Sequence, residues 1–158
     1  EFRRVLFRSA GTILLVEDNP DDQKLTVRAL RKNNIANEIV VAEDGAQALE
    51  YLFGSGQFAG RDPRQRPALV LLDLKLPKVD GLSVLSQIRG DERTKLMPVV
   101  VLTSSVEEQD LIRSYELGVS SYVRKPVDFM EFMEAARQLG VYWLILRSAH
   151  YPSLVCPA

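Results

Sequence analysis

Five short, mainly apolar segments alternate along the chain with longer segments of helical periodicity, and this alternation limits the possible folds more than any other feature. The apolar segments are Thr12–Val16, Glu38–Val41, Ala68–Leu72, Pro98–Leu102 and Ser121–Arg124. Runs of this length that are rich in Val, Ile and Leu are typical of strands buried on both faces. Strands joined by helical crossovers lie parallel to one another. The sequence therefore predicts a doubly wound α/β fold with a five-stranded parallel sheet and five helices.

Capping residues mark where several of the helical segments begin. Asn19 can cap a helix from Pro20 to about Lys32, and Asp21 and Asp22 suit the positive end of its dipole. Further helices are predicted at Ala46–Phe53, from Gly81 after its cap Asp80 to about Arg89, from Ser105 to Gly118, and from Asp128 onward. One apolar face of the last helix consists of Phe129, Phe132, Met133, Ala136, Leu139 and Trp143.

Length and composition exclude several classes of function. A chain of 158 residues is expected to form one domain. Its 20 Lys and Arg residues and 21 Asp and Glu residues give a formal net charge of -1. This balance lacks the excess of positive charge that is typical of nucleic-acid-binding domains. Single Cys and His residues exclude an intramolecular disulfide and multi-histidine metal sites. Because no long apolar run or export signal is present, we expect a cytoplasmic protein without a membrane partner.

Neither end of the chain continues the alternating pattern. Residues 1–9 begin with EFRRVLFR, which we interpret as residues encoded by an expression vector, with a disordered native tail as the alternative. Residues 148–158 contain two prolines and no periodicity, which is typical of a flexible tail. The folded domain is therefore expected to span residues 10–147.

Charged and hydroxyl side chains follow the predicted strands at their carboxyl ends. In chain order these residues are Glu17, Asp18, Asp73, Thr103 and Lys125. The ligand site of a doubly wound sheet lies at this edge. Clustered carboxylates suit Mg²⁺, and an Asp carboxylate can act as a nucleophile. A Lys ammonium and a Thr hydroxyl can hold phosphoryl oxygens, so the set predicts phosphoryl transfer to an aspartate.

The same residues lie in four short motifs, with 30 residues from Asp73 to Thr103 and 22 residues from Thr103 to Lys125. The motifs are VEDNP at Val16–Pro20, LLDLKLPKVDG at Leu71–Gly81, TSS at Thr103–Ser105 and KP at Lys125-Pro126. In this order they resemble the receiver domains of two-component response regulators, over about residues 12–147. The resemblance implies a CheY-like domain with the flavodoxin-like strand order 2-1-3-4-5, which acts as a signalling module with self-catalysed phosphorylation and dephosphorylation rather than as a classical enzyme.

The resemblance also implies which residues accept the phosphoryl group and hold the metal. Asp73 would be the phosphoacceptor. Mg²⁺ would be bound by Asp18 and Asp73 directly, by Glu17 through water, and by the backbone carbonyl of Lys75. Glu17 departs from many relatives, which have Asp at this position, but it keeps the charge.

Further positions would bind the phosphoryl group and transmit its presence. Lys125 would contact the phosphoryl group, and its bond to Pro126 would be cis. Thr103 and Tyr122 would form a switch pair, in which the hydroxyl moves to the phosphoryl group and the ring turns inward.

Two further segments bear on partners. Residues 54–67 form a long loop, similar to that of stand-alone receivers that partner bacterial phytochromes and related histidine kinases. The resemblance therefore implies a sensor histidine kinase, with the phytochrome type as a candidate, as the phosphate source. Val141–Leu146 (VYWLIL) is apolar around most of a helix, which predicts a homodimer through the last helix and the C-terminal part of the sheet.

Three alternatives place other chemistry on the same sheet. A haloacid-dehalogenase-type phosphatase needs a second Asp two positions after its nucleophile, where this chain has Lys75. A flavodoxin-like flavin protein needs a phosphate loop after the first strand, where Glu17 and Asp18 would repel phosphate. A pseudo-receiver would bind partners without phosphorylation, and the full set of acids, Thr and Lys argues against it.

Overall fold

A computed structural model of the protein describes residues 11–103 and 121–138. Its sheet consists of Ile13–Val16 (β1), Ile39–Ala42 (β2), Leu69–Asp73 (β3), Val99–Thr103 (β4) and Ser121–Arg124 (β5). All neighbouring strands pair in parallel, and the order is β2-β1-β3-β4-β5. The doubly wound sheet and its strand order, both predicted from the sequence, are confirmed.

Four α-helices lie within the described residues, at Pro20–Lys32 (α1), Gly45–Phe53 (α2), Gly81–Gly90 (α3) and Phe129–Gln138 (α4). Asn19 caps α1 as predicted, because its Oδ1 accepts hydrogen bonds from the backbone N–H groups of Asp21 and Asp22 at 2.8 and 3.2 Å. None of these helices is long and apolar enough to cross a membrane. The predicted helix from Ser105 to Gly118, the apolar segment Val141–Leu146 and both tails lie outside the described residues.

Alternate residues of the strands pack on opposite faces of the sheet. One face, covered by α1 and α4, buries Ile13, Leu15, Leu71, Val100, Leu102, Leu30, Phe132, Met133 and Ala136. The other face, covered by α2 and α3, buries Leu14, Val16, Leu72, Val101, Leu52, Val84, Leu85 and Ile88. Both faces are therefore apolar, which explains the continuous apolar runs in the sequence. Within α4 the predicted apolar face is confirmed as far as Ala136, and Leu139 and Trp143 lie outside the described residues.

The carboxyl ends of β2, β3 and β4 lie one residue beyond the sequence prediction, whereas those of β1 and β5 match it. β3 and β4 each extend one position further, because parallel pairing continues through the pairs Asp73–Leu102 and Thr103–Arg124. Asp73 and Thr103 are thus the last residues of their strands rather than the first residues after them. Their backbones are held by the sheet, so both side chains project from a rigid edge.

Gly81 allows the chain to pass directly behind Asp73 at the start of α3. An ideal Cβ on Gly81 would lie 2.3 Å from the backbone oxygen of Asp73 and 2.5 Å from Cα of Leu74. The Gly81 N–H donates a hydrogen bond to the Leu74 oxygen at 3.0 Å. This close approach of two backbones fixes the loop that follows β3.

Replacing Gly81 with Ala is therefore expected to lower the free energy of unfolding by about 2 kcal/mol, because the added methyl group meets backbone atoms that cannot move independently. Gly90→Ala in the same helix is the matched control, since its Cβ would meet no described atom within 4 Å outside its immediate chain neighbours and the helix backbone. The control should leave stability unchanged or raise it slightly. Urea unfolding of both variants tests this, and equal stabilities would contradict the close contact at Gly81.

Candidate functional site

Lys125 joins residues from three different strand ends at the carboxyl edge of the sheet. Its Nζ lies 2.5 Å from Glu17 Oε1, after β1, and 3.0 Å from Asp73 Oδ2, at the end of β3. The backbone N–H of Lys125 donates to the Thr103 oxygen at 2.8 Å, which continues the pairing of β5 with β4. The Lys125-Pro126 bond is cis, as predicted.

Three carboxylates lie close enough together to bind one cation. Glu17, Asp18 and Asp73 each offer an oxygen, and these oxygens lie within 4.8 Å of one another. The side chains of Glu17 and Asp73 are 0% and 7% exposed, whereas Asp18 is exposed. A set of hard oxygen donors with an open side fits Mg²⁺, which keeps several of its water ligands.

Backbone contacts hold Glu17 and Asp73 in place. The Glu17 backbone N–H donates to the backbone oxygen of Ala42 at 3.0 Å, and Gln23 Nε2 donates to the backbone oxygen of Glu17 at 2.6 Å. The backbone N–H of Lys75 donates to Asp73 Oδ1 at 3.1 Å. That contact brings the turn after β3 next to the carboxylate, and the metal-binding role of the Lys75 carbonyl stays a prediction.

The electrostatics of the cluster favour an added cation. Burial raises the pKa of Glu17 to about 7. The hydrogen bond and the negative charge of Asp73 also raise this pKa, whereas the hydrogen bond and the positive charge of Lys125 lower it. Burial alone would lower the pKa of Lys125, but its hydrogen bonds to Glu17, Asp22 and Asp73 raise that pKa above the usual range. The ammonium therefore stays charged, while the carboxylates around it are incompletely neutralised.

Thr103 and Tyr122 occupy adjacent strands on one face of the sheet. Tyr122 pairs in register with Val101, two residues before Thr103, so their side chains lie on the same side. Tyr122 is half-buried and packs against the core on the α2 and α3 side. This placement is compatible with the predicted switch pair, whose movement stays a prediction.

The sequence did not place Asp22 in the site. It was interpreted as an acid at the positive end of α1, yet its Oδ2 lies 3.0 Å from Lys125 Nζ. The sequence feature that could have indicated this contact is the position of Asp22 in the first turn of α1, which begins at the carboxyl edge of the sheet. Asp22 is thus the third carboxylate in contact with the ammonium, beside Glu17 and Asp73.

Lys78, in the loop after β3, forms an ion pair with an acid of a neighbouring loop. Its Nζ lies 3.2 Å from Asp44 Oδ2, and its backbone adopts a positive φ of 63°. Asp44 also caps α2 by accepting from the Gln47 N–H at 2.8 Å, which lowers the pKa of the Asp44 carboxyl. The loop after Asp73 is therefore tied to the start of α2.

Comparison with known proteins identifies relatives over most of the chain. Residues 13–137 match the family model of the response regulator receiver domain. The probable methanogenesis regulatory protein FilR2 of Methanothrix harundinacea is 44% identical over 135 residues, which cover 84% of this chain and 83% of that protein. Response regulator Rcp1 of Synechocystis is 39% identical over 132 residues, which cover 84% of this chain and 88% of Rcp1.

Solved structures of similar proteins have the same fold. The bacteriophytochrome response regulator AtBRR is 58% identical, with a TM-score of 0.78, over 84% of this chain and 94% of AtBRR. A Mn²⁺-bound form of Rcp1 is 36% identical, with a TM-score of 0.69, over 90% of this chain and 99% of Rcp1. A relative with the same fold therefore binds a divalent cation.

Proposed function

The chain belongs to the response regulator receiver family, and from this premise we propose that it accepts a phosphoryl group on Asp73 and thereby switches a protein-interaction surface. The observation that carries the proposal is the ammonium of Lys125, held 3.0 Å from Asp73 Oδ2 beside a cluster of three carboxylates. Family members are signalling modules rather than classical enzymes. Asp73 is the acceptor because it combines a buried position, a contact with Lys125 and a place in the cluster.

In the proposed reaction, a carboxylate oxygen of Asp73 attacks the phosphorus of a phosphohistidine. The new P–O bond forms as the P–N bond breaks, and the released imidazole nitrogen takes a proton from solvent. Lys125 and the Thr103 hydroxyl hold phosphoryl oxygens. Asp18, Asp73 and the Lys75 carbonyl would hold Mg²⁺ directly and Glu17 would hold it through water, and the bound ion would supply the positive charge that lets an anionic phosphoryl group approach these acids.

The phosphoryl group leaves by hydrolysis on the same residue. Water attacks the phosphorus, the P–O bond to Asp73 breaks, and inorganic phosphate and the free carboxylate result. While the group is present, the Thr103 hydroxyl turns toward it and the Tyr122 ring turns inward. A local charge change thus biases a two-state surface.

We further propose a sensor histidine kinase as the donor, with a phytochrome-type kinase favoured by the likeness to a bacteriophytochrome response regulator. We propose that the receiver domain spans residues 10–147. A homodimer through the C-terminal part of the sheet and the last helix is proposed from the apolar sequence Val141–Leu146.

Incubation with acetyl phosphate, followed by intact mass measurement, tests the proposed acceptor. The protein should gain one phosphoryl group in the presence of Mg²⁺ and none with EDTA. Asp73→Asn should abolish the gain, because an amide oxygen is not a competent nucleophile here. Asp80→Asn is the matched control, since Asp80 lies in the same loop and asparagine preserves its capping bond to the Ser83 N–H.

A phosphoryl gain that persists in Asp73→Asn would exclude Asp73 as the acceptor. Absence of a gain in the unmodified protein, together with absence of beryllofluoride binding, would exclude the phosphoryl mechanism and favour a pseudo-receiver. Beryllofluoride is included because its binding does not depend on how long an acyl phosphate survives.

A further inference from the structure

The backbone carbonyl of Glu17 lies at the point where the chain leaves the sheet and turns into α1. The pairing of β1 with β2 and β3 ends at Val16, so this carbonyl lies beyond the last residue pair of the strand. Glu17 is 0% exposed, and a buried carbonyl needs a hydrogen-bond donor. Gln23 Nε2 supplies that donor at a distance of 2.6 Å. A side chain of α1 therefore takes the place of the sheet ladder at this position.

This hydrogen bond restrains the following residue as well as the carbonyl itself. The carbonyl group of Glu17 and the backbone nitrogen of Asp18 belong to one planar peptide unit, so holding the oxygen holds the direction in which the Asp18 backbone begins. Gln23 is itself part of the helix, because its backbone N–H donates to the Asn19 oxygen at 2.9 Å. The peptide unit before Asp18 is thus attached to α1.

The side chain of Asp18 has no comparable anchor among the described residues. It is exposed, and within residues 11–103 and 121–138 its carboxylate forms no hydrogen bond or ion pair. The other two carboxylates of the cluster are buried, and both contact the ammonium of Lys125. The place of the Asp18 carboxylate near a metal therefore depends on its backbone.

We propose that Gln23 is a positioning residue, which orders the Asp18 backbone before Mg²⁺ binds and thereby strengthens metal binding by the three-carboxylate cluster. The inference rests on the proposed function, which requires Mg²⁺ at that cluster. Order in advance favours binding, because the conformational entropy of the Asp18 backbone is then lost on folding rather than on binding. In this role Gln23 acts through the peptide unit, without contacting the metal.

Titration with Mg²⁺ alone, followed by ¹H–¹⁵N NMR, tests the proposal without a phosphoryl donor. Gln23→Met removes the N–H donor, keeps a side chain of similar size and suits a helix. It should raise the Kd for Mg²⁺ about fivefold, because the arriving ion must then order the Asp18 backbone. Asp18→Asn should also weaken Mg²⁺ binding, which checks that the ion occupies the proposed cluster.

Gln47→Met is the matched control. Gln47 Oε1 accepts a hydrogen bond from the backbone N–H of Glu43 at 3.0 Å, so this glutamine also connects the residue after a strand, here β2, to the helix that follows. Among the described residues, that connection contributes no carboxylate to the cluster. Gln47→Met should therefore change the Kd for Mg²⁺ by less than twofold, although it too removes a hydrogen bond between a helix side chain and the backbone.

A second measurement reports on the order of the Asp18 backbone itself. The ¹H–¹⁵N heteronuclear NOE of the Asp18 amide, which senses motion on the picosecond to nanosecond timescale, should fall in metal-free Gln23→Met. Saturating Mg²⁺ should restore it. The same NOE should stay unchanged in Gln47→Met, and circular dichroism should show that both variants are folded.

The two measurements distinguish the role of Gln23 from the existence of the metal site. A Kd for Gln23→Met within twofold of the unmodified value, an unchanged Asp18 NOE, or an equal effect of Gln47→Met would each overturn the role of Gln23. Loss of the fold in Gln23→Met would also overturn it, since the hydrogen bond would then support the whole domain rather than Asp18. Failure of the unmodified protein to bind Mg²⁺, or tight binding by Asp18→Asn, would instead overturn the proposed function, and with it this inference.

Discussion

Lys125→Met is expected to lower the free energy of unfolding by about 3 kcal/mol or more at pH 8 in metal-free buffer. Lys125 is the cation that the structure places against both Glu17 and Asp73, whose side chains are buried. Methionine fills a similar volume but leaves two adjacent carboxylates without that charge. Removing one member of a buried ionic cluster is strongly destabilising, because the remaining charges keep their desolvation penalty.

Urea unfolding followed by circular dichroism measures this loss. Lys78→Met is the matched control, since Lys78 also pairs with a buried acid but is 70% exposed, so its loss should stay below about 1 kcal/mol. The penalty of Lys125→Met should become smaller at pH 5, where a Glu17 carboxyl with a pKa of about 7 is protonated. Equal losses at Lys125 and Lys78 would contradict the buried cluster.

Topology explains why so much of the site could be predicted from the sequence. Parallel strands bring their carboxyl ends to one edge, so residues after different strands meet there whatever the details of packing. Glu17 and Lys125 are separated by 108 residues, yet their Nζ and Oε1 atoms are 2.5 Å apart. The one-residue extension of β3 and β4 left this placement intact, because Asp73 and Thr103 stayed at the same edge.

The contacts of Asp22 and Lys78 could not be predicted in the same way. An acid or a lysine in a helix turn or a loop can have several different contacts. Which contact it makes depends on the distant element that packs opposite to it. Asp22 meets Lys125 across 103 residues of sequence, through the rotation of the first turn of α1. Local patterns predict that Asp22 suits the helix dipole, which is compatible with the structure but does not specify its partner.

The ionisation of Glu17 also depends on the folded structure. The sequence shows only that Glu17 follows a strand. This pattern is the same for a solvated carboxylate and for a buried one. In the structure its side chain is 0% exposed and lies next to Asp73, so burial and the neighbouring acid raise its pKa to about 7. The metal-free site therefore contains a carboxylate whose ionisation is unfavourable.

Glu17→Gln is accordingly expected to stabilise the metal-free protein at pH 8. A glutamate with a pKa of about 7 when folded and 4.5 as its ordinary value binds a proton more tightly in the folded state. Its contribution to stability is then greatest below pH 4.5 and is lost as the pH rises through 7. Glutamine stays uncharged over this range and still offers an oxygen to Lys125, so the gain at pH 8 should be roughly 2–3 kcal/mol.

Urea unfolding from pH 5 to pH 8 in EDTA tests this expectation. The unmodified protein should lose stability as the pH rises, Glu17→Gln should be nearly flat, and Glu43→Gln, at an exposed glutamate, should follow the unmodified protein. Mg²⁺ should stabilise the unmodified protein more than Glu17→Gln, because the ion offsets the charge that the substitution removes. A Glu17→Gln variant that is less stable than the unmodified protein at pH 8 would show that the ion pair with Lys125 outweighs the burial of the carboxylate.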